Sequence, residues 1–329
     1  MRGRPSLPNR AKSARLLLLM QPFSKALQCS LVASLALPLW AQDLAPRAYV
    51  ITPVSSNAAT FTYCFYDGGV NFNGAVPVTN ATGTFSVPVF SLYHSFSFFG
   101  RSANILGALP YGVGYFQGEL NEQHRQIYRS GLMDFALRVS VNLKGGPAME
   151  PAAFAKWKQK VLLGVSLKII APTGQYDPTK VINWGINRWA FKPEFGYSQR
   201  WANWVLDGYA GVWFYTTNPA APGTGSKPQT EDPIGSLEGH LSYDFKPGTW
   251  ASLDGNFWWG GLTRLSGIQN LDTKQVGSRL GGTFAWRYAK HQSLKFSYSG
   301  GTFSRFGGNY NNVAVAWQYS WMGTPKLKK

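Results

Sequence analysis

Cysteine, acidic residues and long apolar runs are all scarce in this chain. Two of its 329 residues are cysteine, and 15 Asp and Glu stand against 32 Lys and Arg. After residue 41 no apolar stretch reaches the roughly 18 residues of a membrane-spanning helix, which excludes a helical membrane protein. Cys64 is the only cysteine beyond that point, so the rest of the chain has no intramolecular disulfide.

The basic excess does not indicate nucleic-acid binding. The formal net charge is +17, but outside residues 1–41 and the C-terminal tail the basic residues are scattered singly. His94, His124 and His291 lie in separate segments without the close spacing of a metal site. No glycine-rich loop has the context of a phosphate site. We therefore expect no metal, no cofactor and no nucleic-acid partner.

The N-terminal part has the features of a secretory signal peptide. Basic residues precede an apolar stretch over residues 26–39, and Trp40 and Ala41 follow it. This pattern predicts a signal peptide over residues 1–41, with Met20 as an alternative start. Residues 42–58 then form an N-terminal segment that we expect to fold inward as a partial plug. At the other end, residues 322–329 form a basic tail.

Apolar residues alternate with polar ones through most of the remaining chain. From Gly131 to Leu143 every second residue is apolar, beginning with Met133 and Phe135. The alternation recurs in segments of about ten residues, which is typical of membrane-spanning β-strands. It predicts an all-β fold, a transmembrane antiparallel up-and-down β-barrel of about 12 strands over residues 59–321. The predicted strands span residues 59–66, 84–98, 102–116, 131–144, 159–171, 189–200, 204–216, 234–246, 249–260, 275–288, 293–300 and 311–321.

The connections between these strands alternate between long and short, as expected for external loops and periplasmic turns. The segment 145–158 departs from this rule, and Pro151 predicts a short helix over Ala152–Trp157 there. The last strand ends in aromatic residues, which predicts recognition by the barrel-assembly machinery. Tryptophans near strand ends predict an interfacial girdle facing outer-membrane lipids and lipopolysaccharide; they are Trp189, Trp201, Trp204, Trp250, Trp258, Trp259, Trp317 and Trp321.

Charged residues on the polar faces of the strands are candidates for the lumen. They can pair with one another to hold the barrel, or line a water path and set selectivity, and the two roles are compatible. The loop 172–188 mixes aromatic and hydrogen-bonding groups, which favours a gating role; its candidates are Tyr176, Asp177, Trp184 and Arg188. The lumen candidates are Asp134, Arg138, Lys168, Lys192, Glu194, Asp207, Glu238, His240, Asp244, Asp254, Arg279, Arg287 and Lys295.

A hydrolase is one alternative function. His240-Leu-Ser242 resembles the His-x-Ser of outer-membrane phospholipase, in which a base and a nucleophile share one strand face. The alternation aims both residues at the lumen rather than at lipid, so we assign no catalytic residue. A closed structural barrel is the other alternative.

Two stretches carry a family resemblance. Ala171-Pro-Thr-Gly-Gln-Tyr-Asp-Pro178 and Asn187-Arg-Trp-Ala-Phe-Lys-Pro-Glu194 resemble the meta-pathway phenol-degradation family of outer-membrane transporters. Shorter family-like pieces occur at 44–49, 131–134, 139–142, 232–240, 250–254 and 316–319. The resemblance implies a barrel in the outer membrane of a Gram-negative bacterium that takes up small organic compounds, aromatic ones among them. We therefore expect a porin-like channel that passes small, aromatic or hydrophobic solutes by passive diffusion.

Overall fold

The computed structural model describes residues 44–71, 78–120, 122–223 and 226–323. The predicted signal peptide, the alternative start Met20 and residues 324–329 of the basic tail lie outside the described residues. Within the described ranges, no helix has the length and apolar character needed to cross a membrane.

Strands make up most of the described chain. A short helix, α1, covers Pro151–Phe154, and one turn of 3₁₀-helix covers Leu271–Thr273. The strands are β1 Ser56–Asn71, β2 Val78–Phe98, β3 Arg101–Leu120, β4 Gln123–Leu132, β5 Phe135–Lys144, β6 Val161–Ala171, β7 Ala190–Trp201, β8 Trp204–Tyr215, β9 Gln229–Glu231, β10 Ile234–Lys246, β11 Thr249–Gly260, β12 Thr263–Leu265, β13 Ile268–Asn270, β14 Gln275–Arg287, β15 Gln292–Ser304 and β16 Gly307–Met322.

The main sheet closes on itself. Its strands pair antiparallel with their neighbours, and β1 pairs with both β2 and the last strand, β16. Strands β4 and β5 both pair with β3 and form one interrupted wall strand, so the barrel has twelve wall strands. The predicted all-β, twelve-stranded antiparallel barrel is confirmed. Strands β9, β12 and β13 form a separate small sheet between wall strands.

The alternation of side chains matches the two faces of the wall. In β10, Leu237 and Phe245 are 48% and 60% exposed, whereas Glu238 and His240 are buried. A shift of one residue in register would place the charged side chains in lipid, at a cost of about 2–4 kcal/mol each near mid-membrane. The apolar period therefore fixes which side chains enter the lumen.

Several strands extend further than predicted. Strand β1 covers Ser56–Asn71 rather than 59–66, and β15 covers Gln292–Ser304 rather than 293–300. Strand β3 reaches Leu120 and β4 starts at Gln123, where the sequence predicted a long loop. These extensions carry polar residues on both faces, so apolar alternation does not reveal them.

The wall strand containing β4 and β5 does not keep the predicted alternation through Met133 and Asp134. Leu132 pairs with Tyr111 and Ala136 pairs with Ala108, so three residues oppose two on β3. One extra residue in a strand exchanges the faces to which the side chains on either side of it point. Met133 is consequently buried and Leu132 is 48% exposed, the opposite of the faces predicted for an unbroken strand.

Two of the predicted girdle tryptophans face inward. Trp250 and Trp258 are 0% and 1% exposed, whereas Trp189, Trp201 and the other four are exposed on the outer face. Trp250 packs under the Arg47 guanidinium, whose Cζ lies 4.3 Å from the ring centroid. The period-two rule, rather than proximity to a strand end, decides the position of these rings.

One end of the barrel carries tight turns, including Phe99–Gly100 and Ala202–Asn203, and the other carries the long connections. At the short-turn end, α1 ends at Phe154 rather than at the predicted Trp157. Phe154 packs with Ile51 and Leu162 in a small apolar cluster. Because short turns face the periplasm in outer-membrane barrels, this cluster lies at the periplasmic end.

Candidate functional site

The chain preceding β1 enters the barrel from the short-turn end. The backbone N–H of Arg47 donates to Asp207 Oδ2 at 3.2 Å, and its Nη1 donates to Asp244 Oδ1 at 2.7 Å. The N–H of Ala48 donates to Tyr209 OH at 3.0 Å. These contacts join residues 47–48 to inward-facing side chains of β8 and β10, so the N-terminal segment occupies part of the lumen.

Tyr49 fits a slot made by two glycines. A Cβ atom at Gly196 would lie 2.1 Å from the ring, and one at Gly164 would lie 2.5 Å from it. The Tyr49 hydroxyl lies 3.0 Å from Ser166 Oγ and donates to Glu194 Oε1 at 3.0 Å. Any larger side chain at either glycine position would displace the ring.

Charged side chains on the lumen face form a chain of contacts across several strands. Lys192 Nζ lies 2.8 Å from Glu194 Oε2 and 2.9 Å from Glu238 Oε1. Arg138 Nη2 lies 3.7 Å from Glu194 Oε1, and Arg138 Nη1 donates to the carbonyl of Ala48 at 3.2 Å. The network therefore holds both the wall and the N-terminal segment.

The network continues through His240. Its Nδ1 lies 2.9 Å from Asp254 Oδ1, and its Nε2 lies 3.6 Å from Glu238 Oε2. Thr283 Oγ1 donates to Asp254 Oδ2 at 2.8 Å. Removal of one partner from a buried ion pair typically costs about 3–5 kcal/mol. These contacts join side chains of different wall strands, so they hold the lumen-facing side chains in place.

The remaining lumen candidates lie in different places. Asp207 and Asp244 contact the N-terminal segment, and Lys168 Nζ lies 5.6 Å from the centroid of the Trp213 ring. Arg287 lies at the short-turn end, where its Nη2 donates to Pro247 O. Asp134 leaves the wall ladder and binds the loop 172–188.

Asp134 anchors that loop. Its Oδ1 accepts a hydrogen bond from Gly174 N at 2.8 Å, and its Oδ2 accepts one from Ile186 N at 2.7 Å. Phe135 N donates to Thr173 Oγ1 at 2.9 Å. The bulge in the wall and the position of the loop therefore have one cause, which is that residues 134–135 bind the loop instead of β3.

Trp184 is a residue of the loop 172–188 that extends into the lumen. Its ring centroid lies 5.8 Å from those of Phe85 and Phe116. A Cβ atom at Gly112 would lie 2.4 Å from the Trp184 ring, so glycine is required for this approach. The loop thereby narrows the lumen at the level of these rings.

The other candidates of the loop stay near its base and tip. Arg188 is buried, forms an ion pair with Glu231, and stacks on Tyr215 at 4.4 Å. The Tyr176 hydroxyl accepts a hydrogen bond from Asn218, and burial raises its pKa. Hydrogen bonds from Thr179 and then Lys180 lower the pKa of Asp177 to about 2.

A cavity of about 620 Å³ lies between the N-terminal segment and the long loops. Its lining includes Leu44 of the N-terminal segment, Val181 of the loop 172–188 and Phe306 between β15 and β16. Eight aromatic residues line it; they are Tyr66, Phe85, Phe116, Tyr176, Trp184, Tyr298, Phe306 and Tyr310. The volume is within the range of small-molecule sites, which is about 300–1,000 Å³.

The two residues of the hydrolase alternative lie inside the wall. His240 and Ser242 are 1% and 0% exposed. His240 contacts Asp254 and Glu238, and among the described residues Ser242 Oγ has no hydrogen-bond partner. The described residues also hold no group of three or more His, Cys, Asp or Glu that could bind a metal ion.

Some residues of the site were not among the sequence candidates. Arg47 and Tyr49 lie in a stretch that the sequence assigned to the N-terminal segment without naming contacts. Glu231 lies in the short strand β9, outside the barrel wall, and it forms an ion pair with Arg188. Arg200 Nη1 lies 2.6 Å from Asp244 Oδ2. The sequence feature that could have identified this part of the site is Arg47, a basic residue among apolar ones in Leu44–Tyr49. The spacing of residues alone does not identify the partners of Arg47.

A family model described as "Putative MetA-pathway of phenol degradation" matches residues 67–320. The chain belongs to this family. Its fold is similar to an outer membrane channel from Pseudomonas putida F1, with a TM-score of 0.69 and 17% identity over 84% of this chain and 99% of that one. It also resembles the NanC porin, with a TM-score of 0.45 and 6% identity over 79% and 98% of the two chains. No curated protein matches the chain.

This family member is an outer-membrane protein. Its wall pairs every strand with two neighbours, and its outer face is apolar, as lipid requires because the bilayer core offers no hydrogen-bond partners. The closed, aromatic-rimmed barrel with short turns at one end is porin-like.

Proposed function

We propose that this protein is a channel of the Gram-negative outer membrane for small organic solutes, aromatic or hydrophobic ones in particular. The observation that carries the proposal is the cavity of about 620 Å³ inside the barrel, with eight aromatic residues lining it. Solutes move through it by passive diffusion, down their gradient. Contacts of the outer face with lipid and lipopolysaccharide, and insertion by the barrel-assembly machinery through the aromatic strand β16, belong to the same proposal.

The N-terminal segment acts in this proposal as a partial plug. Arg47 and Tyr49 hold it inside the lumen through contacts with Asp244, Asp207 and Glu194. The loop 172–188 narrows the lumen from the other side through Trp184. A solute therefore passes two constrictions, one at each end of the cavity.

Liposome swelling tests the proposal. Proteoliposomes containing the purified chain are mixed with isotonic phenols, aromatic acids or sugars, and the rate of swelling is compared with that of empty liposomes. We expect swelling with small aromatic solutes that exceeds swelling with sugars. Absence of swelling with every solute would support a closed structural barrel instead.

A further inference from the structure

The cavity has an aromatic side and a basic side. Phe85 connects the aromatic side, with ring centroids 4.8 Å from Tyr66, 5.6 Å from Phe116 and 5.0 Å from Tyr310. Arg279 on β14 and Lys295 on β15 line the cavity beside it. Sheet order places β14, β15, β16, β1 and β2 side by side, so the two sides are adjacent sectors of one wall.

The pairing register places the hydrogen-bond partner of Arg279 in the same row of residues as Tyr66. Its Nη1 donates to Ser299 Oγ at 3.0 Å. Ser299 pairs with Asn312 on β16, and Asn312 pairs with Tyr66 on β1. The Arg279 guanidinium therefore binds a residue that lies at the same height in the barrel as Tyr66. Arg279 itself is only 3% exposed.

The ionisable residues that line the cavity in the described chain give it a positive balance. Three are basic, Arg188, Arg279 and Lys295, and two are acidic, Glu231 and Asp254. Both acids are bound by neighbouring side chains through both of their carboxylate oxygens. Glu231 contacts Arg188 and Gln275.

Asp254 is held in the same way. Its Oδ1 contacts His240 and its Oδ2 accepts from Thr283. Both acidic groups are thus bound by neighbouring side chains, and the basic residues that line the cavity exceed them in number by one. Basic side chains in a cavity attract a negatively charged solute.

We propose that the cavity binds a monoanionic aromatic solute, an arylcarboxylate. The ring packs on the aromatic side, and the carboxylate binds the guanidinium of Arg279 with Lys295 as a second positive charge. Arginine suits this role because its planar fork of N–H donors matches a carboxylate. The inference rests on the proposed channel function and specifies its substrate class.

Isothermal titration calorimetry of the purified full-length chain in detergent tests this inference, with protein-free micelles as the blank. Benzoate is compared with benzamide, which is neutral and has nearly the same shape. We expect benzoate to bind about ten-fold more tightly. We expect Arg279→Gln to remove the preference for benzoate without weakening the binding of benzamide. We expect Lys295→Gln to reduce the same preference independently. Arg287→Gln is the matched control, because it makes the same change on the same strand at the short-turn end.

Equal affinity for benzoate and benzamide, or an unchanged preference in Arg279→Gln, would overturn the inference. Folding of each variant is checked by the heat-dependent shift of barrel mobility in gel electrophoresis. Swelling of proteoliposomes by neutral solutes, measured on the same preparation, separates the two proposals. If swelling persists while the charge preference is absent, the substrate class is wrong and the channel stands; if no solute produces swelling, the channel itself fails.

Discussion

Tyr49 and Gly196 are in direct contact, and the fit leaves no room for a side chain at position 196. A Cβ atom there would lie 2.1 Å from Tyr49 Cε2, closer than real atoms approach. Gly164 lines another part of the same ring. The position of the N-terminal segment in the lumen therefore depends on a glycine in the wall.

Gly196→Ala should unseat this segment. The added Cβ would lie 2.1 Å from the ring, so the ring has to move out of its slot and the hydrogen bond from Tyr49 to Glu194 is lost. We expect a several-fold rise in single-channel conductance or in open time in planar bilayers. Gly208→Ala on the neighbouring strand is the control, because nothing lies within 4 Å of a Cβ atom there. Equal behaviour of the two variants would contradict the slot.

Asp134→Ala should release the loop 172–188. The substitution leaves the N–H groups of Gly174 and Ile186 without their acceptor, at a cost of about 1–3 kcal/mol for each group that stays buried. Lys180 in this loop is exposed, so trypsin should cleave there faster in intact proteoliposomes. Asp67→Ala removes a carboxylate that binds Thr84, away from the loop, and should leave cleavage unchanged. Unaltered cleavage in Asp134→Ala would show that the anchor does not hold the loop.

Trp184→Ala should widen the constriction at the long-loop end. The indole packs against Phe85 and Phe116, and truncation of a packed tryptophan typically costs about 3–5 kcal/mol. We expect higher conductance and faster swelling with bulky aromatic solutes. Trp189→Ala removes an indole that is 45% exposed on the outer face, so it should not change permeation. Identical solute size limits in the two variants would refute the constriction.

The turn at Asp177 should respond to acid only at very low pH. Hydrogen bonds from Thr179 and then Lys180 lower the carboxyl pKa from 3.8 to about 2. A lowered pKa in the folded state means that the stabilisation is fully present above pH 3.8 and is lost as the pH falls through about 2. Carboxyl-carbon NMR titration of labelled protein in nanodiscs checks this.

Thr179→Val should move the midpoint of that titration upward toward 3.8, because the largest cause of the shift is removed. Thr173→Val is the matched control, since Thr173 accepts from Phe135 N rather than binding Asp177. A midpoint near 3.8 in the unmodified chain would contradict the turn geometry.

The membrane-embedded part of the fold could be predicted because lipid imposes period two on each strand. Leu237 and Phe245 face outward and Glu238 faces inward, as the alternation requires. The rule fails where its cause is absent. Above the membrane both faces of β3 and β4 meet water, so the pattern did not reveal the strand extension to Leu120 or the start at Gln123.

The candidate site could be predicted only in part. Alternation identified Lys192 as lumen-facing, but its contacts with Glu194 and Glu238 depend on strand order and register. The bulge at Asp134 arises from a loop some forty residues later in the chain, through contacts with Gly174 and Ile186. Local sequence patterns carry no record of such long-range hydrogen bonds.

Single-channel recording compares the full chain with a variant lacking residues 43–53. It asks whether a solute path through the lumen is limited by the segment that Arg47 and Tyr49 hold in place. We expect a small conductance for the full chain and a clearly larger one for the deletion variant. Unchanged conductance, or no conductance from either protein, would contradict it.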